Sequence, residues 1–208
     1  MNHLPILFSA SMVRALLAGA KTQTRRVMKN QPSDSWEPIS YGELHGCGTD
    51  GVLNPDRVIG WGPADESGED GYKCPYGQPG NRLWVREAWR TVAEADHLPP
   101  RELTPEHRIW YEADADRQPG AGKLRPSMFM PRWASRTTLE VTDIRVEPLK
   151  VISEADAIAE GGKPNYLPNR AYEYEPYKSG YVALWQGING NGSWAANPWV
   201  WVVSFKKL

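Results

Sequence analysis

The chain is poor in the residues that most often carry metal or redox chemistry. Its 208 residues include two cysteines, Cys47 and Cys74, and four histidines, and no C-x-x-C spacing occurs. His45, Cys47 and Cys74 offer three zinc ligands with no obvious fourth, so loop thiols without a metal are expected. No strand-like segment is followed by G-x-G-x-x-G or by G-x-x-x-x-G-K-[ST], which leaves Rossmann and P-loop nucleotide binding unsupported. A G-x-S-x-G elbow and an H-E-x-x-H helix are missing as well. No cofactor is expected. No apolar run approaches a membrane span and no signal-peptide pattern is seen, so reduced thiols, a cytoplasmic location and no membrane partner are expected. Repeats and coiled-coil heptads are lacking too.

Excess charge of either sign is also lacking, since the formal net charge is -1. With 40% hydrophobic and 24% charged residues, the chain reads as globular, long enough for one large domain spanning 1–208. The charge is unevenly spread. The first 30 positions contain no acid, while Arg14, Lys21, Arg25, Arg26 and Lys29 bring a formal +5. Residues 31–70 answer with Asp34, Glu37, Glu43, Asp50, Asp56, Asp65, Glu66, Glu69 and Asp70 against Arg57 alone. That distribution points to a local cationic site rather than a basic surface.

Pattern and punctuation predict the elements. "PILFS" (5–9) reads as a strand. "SASMVRALLAG" reads as a short helix with Ser9 or Ser11 as N-cap, an apolar face of Met12, Ala15 and Leu16, and Gly19 as its stop. From about 30 to 80 the chain is dense in Gly, Pro, Asp and Ser without a sustained period, which reads as a long insertion. Strands are predicted at "NRLWVREAW" (81–89), "HRIWYEA" (107–113) and "RTTLEVTDIRVEPL" (136–149). "SEADAIAEGG" (153–162) predicts a helix capped by Ser153, with Asp156 at the box position, and "SGYVALWQGIN" (179–189) predicts another. "NPWVWVVSF" (197–205) reads as a final interior strand, with Pro198 at its start. Short strands with a few flanking helices make the fold α+β, a mixed barrel rather than a doubly wound sheet.

Ten tryptophans are present. Trp84, Trp185, Trp199 and Trp201 sit on alternating or helical faces and read as packing. Trp36 and Trp61 fall in the insertion, where an aromatic either stacks a nucleobase or pins its loop to the core.

Gly19, Lys21, Thr22, Thr24 and Arg25/Arg26, in "GAKTQTRR", with "PGNRLWVRE" and "WVWVVSFKKL" further on, resemble the ASCH superfamily, a relative of the PUA-like RNA-binding barrels. With "CPYGQPGNRLWVREAW", "FMPRWASR" and "NPWVWVVSF", nearly the whole chain resembles the phage and prophage subgroup of that family. The resemblance implies a PUA-like mixed β-barrel interrupted by the 30–80 insertion. One branch of the family hydrolyses N(4)-acetylcytidine with a lysine, a threonine and a glutamate. Carried over, these fall on Lys21, Thr24 and Glu160. The insertion and the second arginine of Arg25/Arg26 depart from that branch, and they bear on the substrate more than on the chemistry.

The residue chemistry has its own logic. One helical turn would put Lys21 and Thr24 on one face. A threonine hydroxyl needs a base to become a nucleophile, and a lysine becomes one when burial and nearby cations lower its pKa. Glu160, at the negative end of its helix, is suited to donate a proton to a leaving amine. The same residues admit a second reading, in which Lys21, Arg25 and Arg26 grip phosphates of single-stranded RNA while Thr22 and Thr24 add hydroxyl contacts. Arg86 and Trp61 complete the candidate substrate- or nucleic-acid-binding set. A ribonuclease, also found among ASCH relatives, would need an acid–base pair or metal that the four histidines do not display. The expected partner is thus a modified nucleoside or single-stranded RNA.

Overall fold

The structure, a computed structural model, describes residues 3–32, 37–38, 57–61, 71–114, 119–166 and 175–208. In chain order the regular elements are β1 (His3–Leu7), α1 (Ala10–Leu17), β2 (Gln23–Val27), β3 (Glu37–Pro38), β4 (Arg57–Trp61), β5 (Gly71–Lys73), β6 (Arg82–Arg86), β7 (Trp89–Arg90), β8 (Trp110–Tyr111), β9 (Thr138–Pro148), α2 (Glu154–Ala159), α3 (Pro176–Asn189) and β10 (Trp199–Lys207), joined in places by single 3₁₀ turns. The fold is α+β. Its main sheet has five strands in the order β1-β6-β9-β10-β2, with β1 parallel to β6 and every other neighbour antiparallel. Among the described residues the ladders do not close on themselves. β1 and β2 are the two edges, so the closed barrel anticipated from the sequence is not seen.

β10 explains why the end of the chain is so apolar. Trp201, Val203 and Phe205 face one core with Ile6, Val13, Leu16 and Leu139. Val200 and Val202 face a second core built on Leu149, Ile152, Ala157, Tyr181 and Trp185. A strand covered on both faces has no polar face to keep, and its sequence runs apolar rather than alternating. β10 is an interior strand, with β9 on one side and β2 on the other. A third cluster around Trp89, Leu103 and Met130 packs beside the two-stranded β7–β8 sheet.

Helix caps follow the sequence closely. Ser9 caps α1 by accepting from the Met12 amide, and α1 buries Val13 and Leu16, with Met12 and Ala15 only half-buried. Ser153 and Asp156 form a reciprocal capping box on α2. α3 begins at Pro176, three residues before the predicted start, where a proline at the first helical position costs no hydrogen bond.

One expectation is corrected. The predicted strand 107–113 shrinks to Trp110–Tyr111, because its partner in the ladder is the two-residue β7. Within the 30–80 segment β3, β4 and β5 form a three-stranded antiparallel sheet. Among the described residues no helix is long and apolar enough to cross a membrane.

Candidate functional site

The loop after α1 turns back through Gly19 (φ +75°) and delivers Lys21 against the end of α2. There Lys21 and Glu160 form an isolated antiparallel bridge, stitched by the Thr22 amide donating to the Ala159 carbonyl at 2.8 Å. The chain then enters the sheet as β2. Lys21 and Thr24 thus lie on extended backbone and not on the helical turn anticipated from their spacing, because pairing with β10 claims residues 23–27. Lys21 and Arg25 reach Glu160 at the end of α2, and Gln23 reaches Asp156 within it.

Lys21 is buried to 2% exposure, and its ammonium spends all three donors. Nζ donates to the Gln23 carbonyl at 2.7 Å and to the carbonyl and Oε2 of Glu160, each at 2.9 Å. Burial is the largest influence on its pKa and pulls it below the ordinary lysine value. Glu160 pulls it back up, and Arg26 and Arg25 add to the lowering. Glu160, 4% exposed, is the C-cap residue of α2. Its other carboxylate oxygen faces Arg25 Nη1 at 3.4 Å.

Arg25 joins this pair to a larger network. Its Nη2 also meets Glu147 of β9 at 2.5 Å and Asp156 of α2 at 3.2 Å. Arg145 closes the circuit, reaching Glu147 at 3.1 Å and Asp156 at 2.8 Å, and Gln23 donates to Asp156 at 3.1 Å. Lys21, Arg25 and Arg145 therefore balance Glu160, Glu147 and Asp156. Partial burial opposes ionisation of Asp156, but hydrogen bonds from the Ser153 side chain and backbone, with the Arg25 guanidinium behind them, hold its carboxyl well below the usual range.

A cleft of about 420 Å³, measured out to its mouth, opens above this network between α1, β2 and α3. Thr24, Arg25, Arg26 and Glu160 line one side, and Tyr181 and Trp185 of α3 line the other. Exposed Val27 and Ile188 also contribute to its walls. Thr24 is 1% exposed overall, and among the described residues its hydroxyl makes no hydrogen bond to Lys21 or Glu160. Burial raises the Tyr181 phenol, and Glu160 raises it further, so Tyr181 enters the cleft as a neutral hydroxyl.

Apart from Arg26, which lines the cleft, the other sequence candidates disperse. Thr22 is exposed, and its backbone ties α2 to β10. Arg26 lies over the Phe8 ring at 5.6 Å and donates to the Leu7 carbonyl at 2.6 Å. Arg86 lies away from the cleft lining, stacked over Trp84 at 4.6 Å. Trp61 belongs to β4, its backbone opposite Glu37, rather than to a loop. His45, Cys47 and Trp36 lie outside the described residues. Cys74 is buried, which pushes its thiol up to about 12. Among the described residues no group of three or more His, Cys, Asp and Glu side chains is placed to hold a metal.

Gln23, Glu147, Arg145, Asp156, Tyr181 and Trp185 were not singled out as site residues from the sequence. Glu147 and Arg145 alternate on β9 with the core residue Val146, which marks their face but not their partners. Comparison of the chain with protein-family models, with curated proteins and with solved structures finds no match.

Proposed function

We propose that the chain is an ASCH-type amidohydrolase that removes an acyl group from an N-acylated, cytidine-type base, with Thr24 as nucleophile, Lys21 as base and Glu160 as acid. The observation that carries this reading is the buried Lys21–Glu160 pair, 2.9 Å apart, whose Glu160 lines one cleft together with Thr24. One proton moved from Lys21 to Glu160 turns the ion pair into a neutral amine and a carboxylic acid, without changing the charge of the pair. Those are the two species that the reaction needs. Burial, which pulls the Lys21 pKa below its ordinary value, favours that exchange.

The steps then balance. Lys21 takes the Thr24 proton as Thr24 Oγ1 attacks the acyl carbon. Glu160 gives its proton to the departing amine nitrogen as the C–N bond breaks. The Lys21–Glu160 ion pair is restored, and the acyl group sits on Thr24 as an ester. A second proton exchange within the pair lets Lys21 deprotonate water and Glu160 protonate the Thr24 oxygen, releasing the carboxylic acid. Substrate binding has to bring the Thr24 hydroxyl to Lys21, because neither hydrogen-bonds the other beforehand. Tyr181 and Trp185 provide an aromatic wall against which a base ring can lie.

Two further observations support the reading. Arg26 of β2 bonds the Leu7 carbonyl of β1, so the two edges of the open sheet approach one another, as a PUA-like roll requires. Lys21 and Arg25 have side chains with 0% exposure and are consumed by carboxylates, so a phosphate-gripping loop would have to dismantle its own network first. Acetate release from N(4)-acetylcytidine tests the reading, and a wild-type chain that leaves this substrate and its longer-acyl analogues intact sinks it.

A further inference from the structure

Among the described residues the arginines on the outer face of β6 have no acid of their own. Arg82, Trp84 and Arg86 alternate onto one side of the strand, opposite the core residues Leu83 and Val85. The Trp84 indole is covered by two guanidinium groups, Arg86 at 4.6 Å and Arg132 at 5.6 Å. Among the described residues neither Arg82 nor Arg86 makes an ion pair or a hydrogen bond, and their Nε atoms are buried without a partner. Arg132 is exposed and holds only a long 3.5 Å contact to Thr138. The acid nearest in register to Arg82 is Glu140, which is taken by Lys206 at 2.8 Å. Arg25, Arg136 and Arg145, by contrast, are spent on carboxylates.

We infer that this face is a binding track for a single-stranded polynucleotide that presents its acylated base to the cleft, an inference that rests on the amidohydrolase reading for the base and on the arginines for the strand. Guanidinium groups stacked on an indole are pre-oriented, and they keep their in-plane N–H groups free for phosphate oxygens. Arg82 and Arg86 are four residues apart, about 13 Å along a strand, which suits two separate phosphates of a strand rather than one. Three residues before Arg132, Phe129 is 54% exposed, a ring available to stack a base. The track also leads to the cleft. Arg86 is opposite Leu7 in the β1–β6 register, and the Leu7 carbonyl holds Arg26, which lines the cleft. A base must leave its stack before its exocyclic nitrogen can enter a pocket, so a single strand fits where a duplex does not.

The test titrates a short cytidine-rich single strand, RNA in one arm and DNA in another, against the full chain over a range of salt concentrations. Vesicles of anionic phospholipid form a third arm. The variants are Arg86→Gln with Arg132→Gln, Phe129→Ala, and Arg101→Gln as a control at a side chain that is 85% exposed. The double variant should flatten the log–log salt dependence by about 1.4, about 0.7 for each phosphate that is no longer neutralised. Phe129→Ala should weaken binding by about fivefold or more, and Arg101→Gln should bind like wild type. Hydrolysis of the free nucleoside should be unchanged in all of them. Equal salt slopes for wild type and the double variant, or capture of vesicles without capture of either strand, overturn the track. Nucleoside hydrolysis without strand binding sinks the track alone, whereas strand binding that responds to the arginines without any hydrolysis sinks the amidohydrolase reading alone.

Discussion

Glu160 accepts from Lys21 Nζ twice, through its carboxylate Oε2 and through its own backbone carbonyl, both at 2.9 Å. A side chain and a backbone group of one residue thus fix the ammonium from two directions. The third donor is held by Gln23, only two positions along the chain from Lys21. The arrangement makes the ends of α1, α2 and β2 a single unit, with the reacting groups set by backbone that the sheet and a capped helix already hold in place.

Breaking this pair from one side should be costly. Glu160→Leu leaves the Lys21 ammonium buried without its carboxylate, and a loss of about 3–5 kcal/mol of stability is expected. Lys21→Met combined with Glu160→Leu should recover much of that loss, although Arg25 still loses one of its carboxylates. Urea denaturation of the two single variants and the double variant measures the coupling. Additive losses would mean that the two side chains do not depend on one another.

Gly161 is a position where the backbone leaves little choice. It has φ +74°, and a Cβ there would lie 2.7 Å from the Ala15 Cβ and 3.0 Å from the Lys21 Cβ. Gly19 has nearly the same φ, +75°, with nothing within 4 Å. Gly19→Ala should therefore cost only the left-handed backbone penalty, about 1–2 kcal/mol. Gly161→Ala should cost more than that, and it should also depress turnover by pushing Lys21 away from Glu160. Equal stability losses and equal turnover for the two variants would contradict the packing.

Acid should attack the site through Asp156. Its carboxyl is held below the unfolded value of about 3.9, so above that pH the native state gains the full stabilisation of the ionised group. Below it the unfolded chain binds more protons than the native one, and this contribution fades as pH falls through the native value. The stability difference between wild type and Asp156→Asn should be constant from neutral pH down to about 5 and shrink below about 3.9. Denaturant titrations across that range read it directly. A difference that grows in acid would carry the wrong sign.

Much of the frame is legible in the chain because its signals are local. Ser153 and Asp156 announce α2, Gly19 ends α1, and the unbroken "VWVVSF" announces a strand covered on both faces. Glu160 ends the capped helix α2, but only the ASCH resemblance singles it out as a site residue. What surrounds it is not legible. Arg25 finds Glu147 and Glu160 at 122 and 135 residues' separation, and no local pattern reports such pairings. The helical turn expected for Lys21 and Thr24 fails through the same blindness, since the partner that extends residues 23–27 is β10, at the far end of the chain. The strands of the insertion were hidden by their composition: β3 ends in Pro38, β4 contains Gly60 and β5 begins with Gly71. These residues read as punctuation.

The central claim is that Thr24 attacks while Lys21 takes its proton, and two variants test it most directly. Thr24→Ala removes the attacking oxygen, and Lys21→Arg keeps the charge but stays protonated at any working pH. Hydrolysis of N(4)-acetylcytidine and binding of the same nucleoside are measured side by side for wild type and both variants. Both variants should lose nearly all turnover while retaining affinity, since the lost interactions belong to the transition state. Wild-type hydrolysis that survives Thr24→Ala, or that proceeds in Lys21→Arg at the wild-type rate, would contradict the assignment.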